Sequence, residues 1–164
     1  AARRAEYHLD GTDDEFATED RKMQALRTSA RILRLTPADQ RDLVDRVRML
    51  RYGADEVIQR SGSVPRSMKF VVSGQARLAA AAPDGSIVTV RTLEQGDFLG
   101  QTALTREPVT ANAVALEEVT VLEIDREDVD ALVHDNPSLL QEIARTIEER
   151  RGDLRRVLAA IQQG

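Results

Sequence analysis

Gly96-Asp97-Phe98-Leu99-Gly100-Gln101-Thr102-Ala103-Leu104-Thr105-Arg106-Glu107-Pro108-Val109-Thr110-Ala111-Asn112-Ala113 is the most informative segment of the chain. Two glycines and a proline punctuate it, and the same punctuation runs upstream. From Arg48 onward, Gly53, Gly62, Gly74, Gly85, Gly96 and Gly100 separate short β-prone runs. Spacings near ten residues predict a small antiparallel barrel or jelly roll. Met68-Lys69-Phe70-Val71-Val72 and Ala76-Arg77-Leu78-Ala79 flank a Ser73-Gly74 turn, and Pro83-Asp84-Gly85-Ser86 reads as a hairpin leading into Ile87. Val119 to Ile124 reads as a strand buried on much of both faces, and it closes the β section at 124.

Helices flank this section. Upstream, Met23, Leu26, Ala30 and Leu33 fall at helical spacing behind Thr18 as N-cap. Thr36-Pro37-Ala38-Asp39 then offers an N-cap, a proline at the first helical position and an early carboxylate, followed by Leu43, Val44 and Val47 on one face. Downstream, Val129, Leu132 and Val133 mark a short helix that ends at Asn136-Pro137, because proline disfavours helical geometry in the residue before it. Pro137 opens a long helix with the seam Leu140, Ile143, Ile147, Arg150, Leu154, Val157 and Ile161. That seam fits either helix pairing between two copies or packing on the chain's own barrel. The expected class is therefore α+β: a small antiparallel barrel flanked by N-terminal helices and a long C-terminal helix. The expected division is an acidic linker over 1–17 and one domain over 18–164, with helices at 18–47, the barrel at 48–124 and helices at 125–161.

Length and charge narrow the function. At 164 residues the chain suits one domain with a sizeable core. The first twenty residues carry two arginines against seven carboxylates, a net −5 equal to the charge of the whole chain. A neutral body behind an acidic leader lacks the clustered basic residues that nucleic acid demands. There are no cysteines, which excludes disulfides, thiolate metal sites and cysteine nucleophiles. His8 and His134 lie in unrelated segments without ligand spacing, so no metal site is expected. No apolar run reaches the roughly 18 residues of a membrane helix, and the leader lacks a signal-peptide core. The expectation is a soluble domain on the cytoplasmic side, and, since it begins at Ala1, a segment of a longer protein. No nucleophile, base and orienting group assemble, and no P-loop is present, so an enzyme is not expected.

Several motifs together resemble the cyclic-nucleotide-binding domain over roughly residues 29 to 156. Gly53-Ala54-Asp55-Glu56-Val57-Ile58 is similar to that family's G-E-x-I turn with two residues interposed, and Ser61-Gly62-Ser63 to its E-G-D/E turn. Phe70-Val71-Val72-Ser73-Gly74 resembles its F-I-V-x-G strand end, and Leu93 with Gln95 to Gly100 its L-x-x-G-D-F-x-G run. The opening segment resembles its phosphate-binding cassette, here 98–112. By that resemblance the binding residues are Phe98, Leu99, Gly100, Gln101, Thr102, Ala103, Val109, Thr110 and Ala111. Such a cassette offers backbone N–H groups of a short helix to an anion, with an arginine completing a charge-assisted pair. Thr110 stands where many members have Thr or Ser, so its hydroxyl could reach phosphate or base.

Two positions depart from the pattern. Gln101 stands where the family has the Glu that holds the ribose hydroxyl, and Val109 where it has the Arg that neutralises the phosphate. Glutamine still accepts, at about 0.5–1.5 kcal/mol instead of the about 1.5–3 of a charged partner. Valine donates nothing, and losing one partner of a buried charge pair costs about 2–5 kcal/mol. The expected consequence is weak or absent binding of cAMP and cGMP. Arg106, Arg77 and Arg91 are the candidate replacements for the missing cation, and another small ligand or none is the alternative.

In the family, ligand binding repositions the two C-terminal helices, here Asp125 to Ile161 by analogy. The acidic leader followed by a full domain resembles the layout of bacterial mechanosensitive-type channels that end in such a domain, which would make a membrane protein the parent. The alternatives are the effector and dimerisation domain of a transcription regulator, without its DNA-binding part, or a ligand-free oligomerisation module acting through the C-terminal helix.

Overall fold

The structure, a computed structural model, describes residues 12–13 and 18–163. Most of the expected 1–17 linker lies outside the described residues. Thr12–Asp13, within the expected linker, forms a two-residue strand, β1, against Leu50 and Arg51.

Helix α1 (Glu19–Leu33) starts as its sequence dictates: the Thr18 side chain accepts from the Arg21 N–H at 3.2 Å. It buries Ala25, Leu26, Ser29 and Leu33, while the side chain of Ala30 lies outside the described residues. Helix α2 (Pro37–Leu43) carries a reciprocal capping box. The Asp39 N–H donates to Thr36 Oγ1 at 3.1 Å and the Thr36 N–H to Asp39 Oδ2 at 3.0 Å. Leu43, Val44 and Val47 are buried as their spacing predicts.

Eight further strands follow: β2 (Arg48–Tyr52), β3 (Val57–Gln59), β4 (Ser67–Ser73), β5 (Ala76–Ala81), β6 (Ile87–Leu93), β7 (Phe98–Leu99), β8 (Asn112–Ala115) and β9 (Val119–Asp125). They form two antiparallel sheets in a jelly-roll-like arrangement, ordered β1-β2-β9-β4-β7 and β3-β8-β5-β6. The Pro83 to Ser86 hairpin closes β5 on β6. Ser73-Gly74 does more than turn the chain, since it carries it from the first sheet to the second.

Alternation along β9 explains why it reads as buried on both faces. Val119 and Val121 face the second sheet, where they pack with Leu50, Val71, Leu78, Leu93 and Leu99. Leu122 and Ile124 face the helices and join Leu26, Met68, Phe70, Leu139 and Ile143. Two cores therefore share one strand.

After β9 come α3 (Arg126–Asp135) and α4 (Pro137–Gln163). Asn136 ends α3, its N–H reaching back to the Leu132 carbonyl at 2.9 Å. The expected seam of α4 needs one correction: Leu140 is 44% exposed, and Leu139 is fully buried in its place. The buried stripe is Leu139, Ile143, Ile147 and Arg150, at steps of four, four and three. Adjacent leucines fit an apolar pattern equally well, and only the docking of α4 on its own domain selects between them. Leu154, Val157 and Ile161, farther along, are half-buried.

Candidate functional site

The site begins at a backbone device. Gly96 and Asp97 form a turn whose Asp97 side chain accepts from the Glu94 N–H at 3.0 Å, and this delivers Phe98–Leu99 to the edge of the first sheet beside β4. Gly100 then adopts φ +80°, with its α-carbon against the Ser67 carbonyl so closely that a β-carbon would collide with it. Only glycine combines that φ with that proximity. A single 3₁₀ turn, Gln101–Ala103, follows, with all three side chains buried.

The cassette's second half returns as an extended segment. The Val109 N–H donates to the Ser63 carbonyl at 2.9 Å, and the Val109 carbonyl accepts from the Gly62 N–H at 2.8 Å. Val109 is 6% exposed, so an apolar side chain occupies the buried position. Ala111 is also buried, whereas Thr110 is exposed beside the cavity.

These parts enclose a cavity of about 40 Å³. Gln59, Leu78 and Val90 line it from the second sheet, Gln101, Thr102 and Pro108 to Ala111 from the cassette, and Ile147, Arg150, Arg151 and Leu154 from α4. Of the nine expected binding residues, Gln101, Thr102, Val109, Thr110 and Ala111 line it. Phe98, Leu99, Gly100 and Ala103 do not: they are buried behind the wall and hold it in place.

The buried cation of the site is Arg150, which the motif pattern placed only in a helix seam. It is 8% exposed. Its Nη1 donates to Gln101 Oε1 at 2.7 Å, its Nη2 donates to the Phe98 carbonyl, and its guanidinium carbon sits 5.3 Å from the centre of the Phe98 ring. Burial, and secondarily the nearby Arg91 charge, lower its pKa to about 10 against the opposing pull of Asp97, Asp153 and Glu149. It remains charged at neutral pH. The three candidate replacements do not line the cavity: Arg106 is exposed, Arg77 donates to Thr89 Oγ1 at 3.1 Å, and Arg91 pairs with Asp153 at 3.7 Å. The one legible signal for Arg150 was a charged residue at a buried phase of an apolar helix.

A second contact reinforces the first. Arg151 pairs with Glu107 in the cassette loop and with Glu148 at 3.1 Å on its own helix. Helix α4 thus lies over the cassette, fixed by two consecutive arginines. No described helix is long and apolar enough to cross a membrane.

Comparison with known proteins agrees with this architecture. The chain is 35% identical over 114 residues to a cyclic nucleotide-gated potassium channel of Rhizobium etli, an alignment covering 67% of this chain and 30% of that protein. The regulatory domain of Toxoplasma gondii PKA, solved with cAMP, superposes with a TM-score of 0.68 at 20% identity, covering 80% of this chain and 50% of that one. Thermus thermophilus catabolite activator protein gives 0.62 at 24% identity, covering 78% and 61%. Residues 49–136, more than half of the chain, match the family described as the cyclic nucleotide-binding domain, and they contain the whole cassette. This chain is accordingly a regulatory domain that belongs to the cyclic nucleotide-binding domain family.

Proposed function

We propose that this domain senses a ligand through a charge-depleted cassette, binds cAMP and cGMP weakly or not at all, and serves as the cytosolic C-terminal regulatory domain of a bacterial ion channel. The observation that carries the first part is Val109, buried where a phosphate partner would have to donate. Gln101 supports it, because its carbonyl oxygen is already engaged by Arg150. A cavity of about 40 Å³ has room for roughly three waters, so a nucleotide would have to displace α4 to enter. The channel context is supported by the potassium-channel relative, of which this chain spans only 30%.

Calorimetric titration with both cyclic nucleotides tests the ligand reading. Heats too weak for a micromolar constant are expected, and a micromolar or tighter constant refutes it. The double change Gln101→Glu and Val109→Arg should then restore tight binding if only charges are missing. For the parent, apolar spans of about 20 residues upstream in the gene are expected. A basic helix-turn-helix downstream would point instead to a transcription regulator.

A further inference from the structure

Gln59 Oε1, Thr102 Oγ1 and Arg150 Nε are buried and have no hydrogen-bond partner among the described residues, and all three residues line the same cavity. Buried polar atoms are normally satisfied, so their convergence on one cavity marks it as built to receive polar groups. Their chemistry is complementary. Arg150 offers a charged donor, and both acceptors it already holds, Gln101 Oε1 and the Phe98 carbonyl, are neutral. Its charge is therefore not cancelled by its hydrogen-bond partners. The Thr102 hydroxyl can donate or accept, while Gln59 Oε1 can only accept. Leu78, Val90, Val109, Ile147 and Leu154 supply an aliphatic part of the lining, and Gln101, Thr110 and Arg151, the last paired with Glu107, a further polar part.

We infer that this cavity is a binding site for a short aliphatic hydroxy acid. Its carboxylate takes Arg150 Nε and the Thr102 hydroxyl, its own hydroxyl donates to Gln59 Oε1, and its carbon chain lies against Val109 and Leu154. Room for roughly three waters limits the ligand to about two or three carbons. The inference rests on the reading that the cassette has lost its cyclic-nucleotide charges, and it deepens that reading by naming what the altered pocket accepts. It also explains the direction of the changes at 101 and 109. A carboxylate at 101 would neutralise Arg150 and compete with an anionic ligand, and a second arginine at 109 would fill the space that the carbon chain needs. Because Arg150 belongs to α4, an anion drawn to it acts directly on the helix that covers the site.

The test is a titration of the 164-residue chain with lactate, followed by calorimetry and by the melting temperature. The controls are the neutral isostere lactamide, inorganic phosphate and cAMP. Saturable binding of the acid at sub-millimolar strength is expected, with none of the amide and none of phosphate. Arg150→Met should weaken the acid about 10- to 150-fold, and Arg150→Lys, which keeps the charge, should weaken it less. Equal binding of acid and amide, equal binding of phosphate, or no binding at roughly 10 mM overturns the inference. The acid–amide comparison needs no variant, so it decides even if a substitution fails to fold. Absence of acid binding together with weak cAMP overturns only this inference, whereas tight cAMP binding overturns the proposed function as well.

Discussion

Arg150 and Gln101, 49 residues apart in sequence, meet at 2.7 Å and join the C-terminal helix to the cassette. The acceptor is neutral although the donor is a buried cation, so the contact is weaker than the position allows. Gln101→Glu should convert it to a charge-assisted pair, a gain of about 1 kcal/mol after the added carboxylate's desolvation. The melting temperature should rise by about 2–4 °C. A fall would mean that the two side chains do not meet in solution.

Replacing the arginine itself should cost little stability. Burial already lowers its pKa to about 10, which means that the folded environment disfavours its charge. Methionine, of similar shape, removes that desolvation cost, which offsets the loss of the bonds to Gln101 Oε1 and the Phe98 carbonyl. Arg150→Met is expected within about 1 kcal/mol of the parent, or above it, in urea denaturation. A loss beyond about 3 kcal/mol would show instead that Arg150 is structural, as expected for breaking a well-compensated pair.

Two glycines separate conformation from contact. Gly62 has φ +87° and open space where a β-carbon would stand, whereas Gly100 has φ +80° with the Ser67 carbonyl in the way. Gly62→Ala should cost about 1 kcal/mol from backbone strain alone. Gly100→Ala adds a clash against sheet backbone and should cost more than about 3 kcal/mol, read by the denaturation midpoint. Equal costs would show that Gly100 does not approach the Ser67 carbonyl so closely.

The phase of α4 is tested by its paired leucines. Leu139 is fully buried and Leu140 is 44% exposed. Leu139→Ala should destabilise by about 2–5 kcal/mol and Leu140→Ala by less than about 0.5 kcal/mol. The reverse order would restore the seam expected from periodicity.

Acid sensitivity should trace in part to Glu123. Burial pushes its carboxyl pKa up, but Lys69 at 3.3 Å, the Ser67 hydroxyl at 2.9 Å and Arg48 together outweigh burial and hold it below its ordinary value. The unfolded chain therefore takes up this proton at higher pH than the folded one. The stabilisation is complete above the ordinary carboxylate pKa, about 4.3, and is lost as pH falls through the lowered folded value. Unfolding free energies of the parent and Glu123→Gln should differ most at neutral pH and converge as the pH falls through that lowered value. A constant difference would exclude the linkage.

Much of this was legible because it is local. Thr18, Thr36 and Pro37 start their helices through bonds that span three residues, and Asn136-Pro137 separates the last two helices by backbone sterics. The glycine turns and the cassette framework pointed to the barrel for the same reason: positive φ is a property of the residue itself. The Ser73-Gly74 turn marks where this stops. Sequence showed that the chain turns there, but which sheet receives β5 depends on pairing with Asn112 to Ala115, more than thirty residues away.

Residue order alone was enough for most element types, the family framework and the two missing charges at Gln101 and Val109. Tertiary structure alone decided that Leu139 and not Leu140 faces inward, and that Arg150 is the buried cation of the site. Both depend on the rotation and docking of one long helix against a distant surface, a choice made by packing energy over the whole contact and not by any local preference. A seam arginine has the same spacing whether it ends in water or against Gln101, and only the fold put it there.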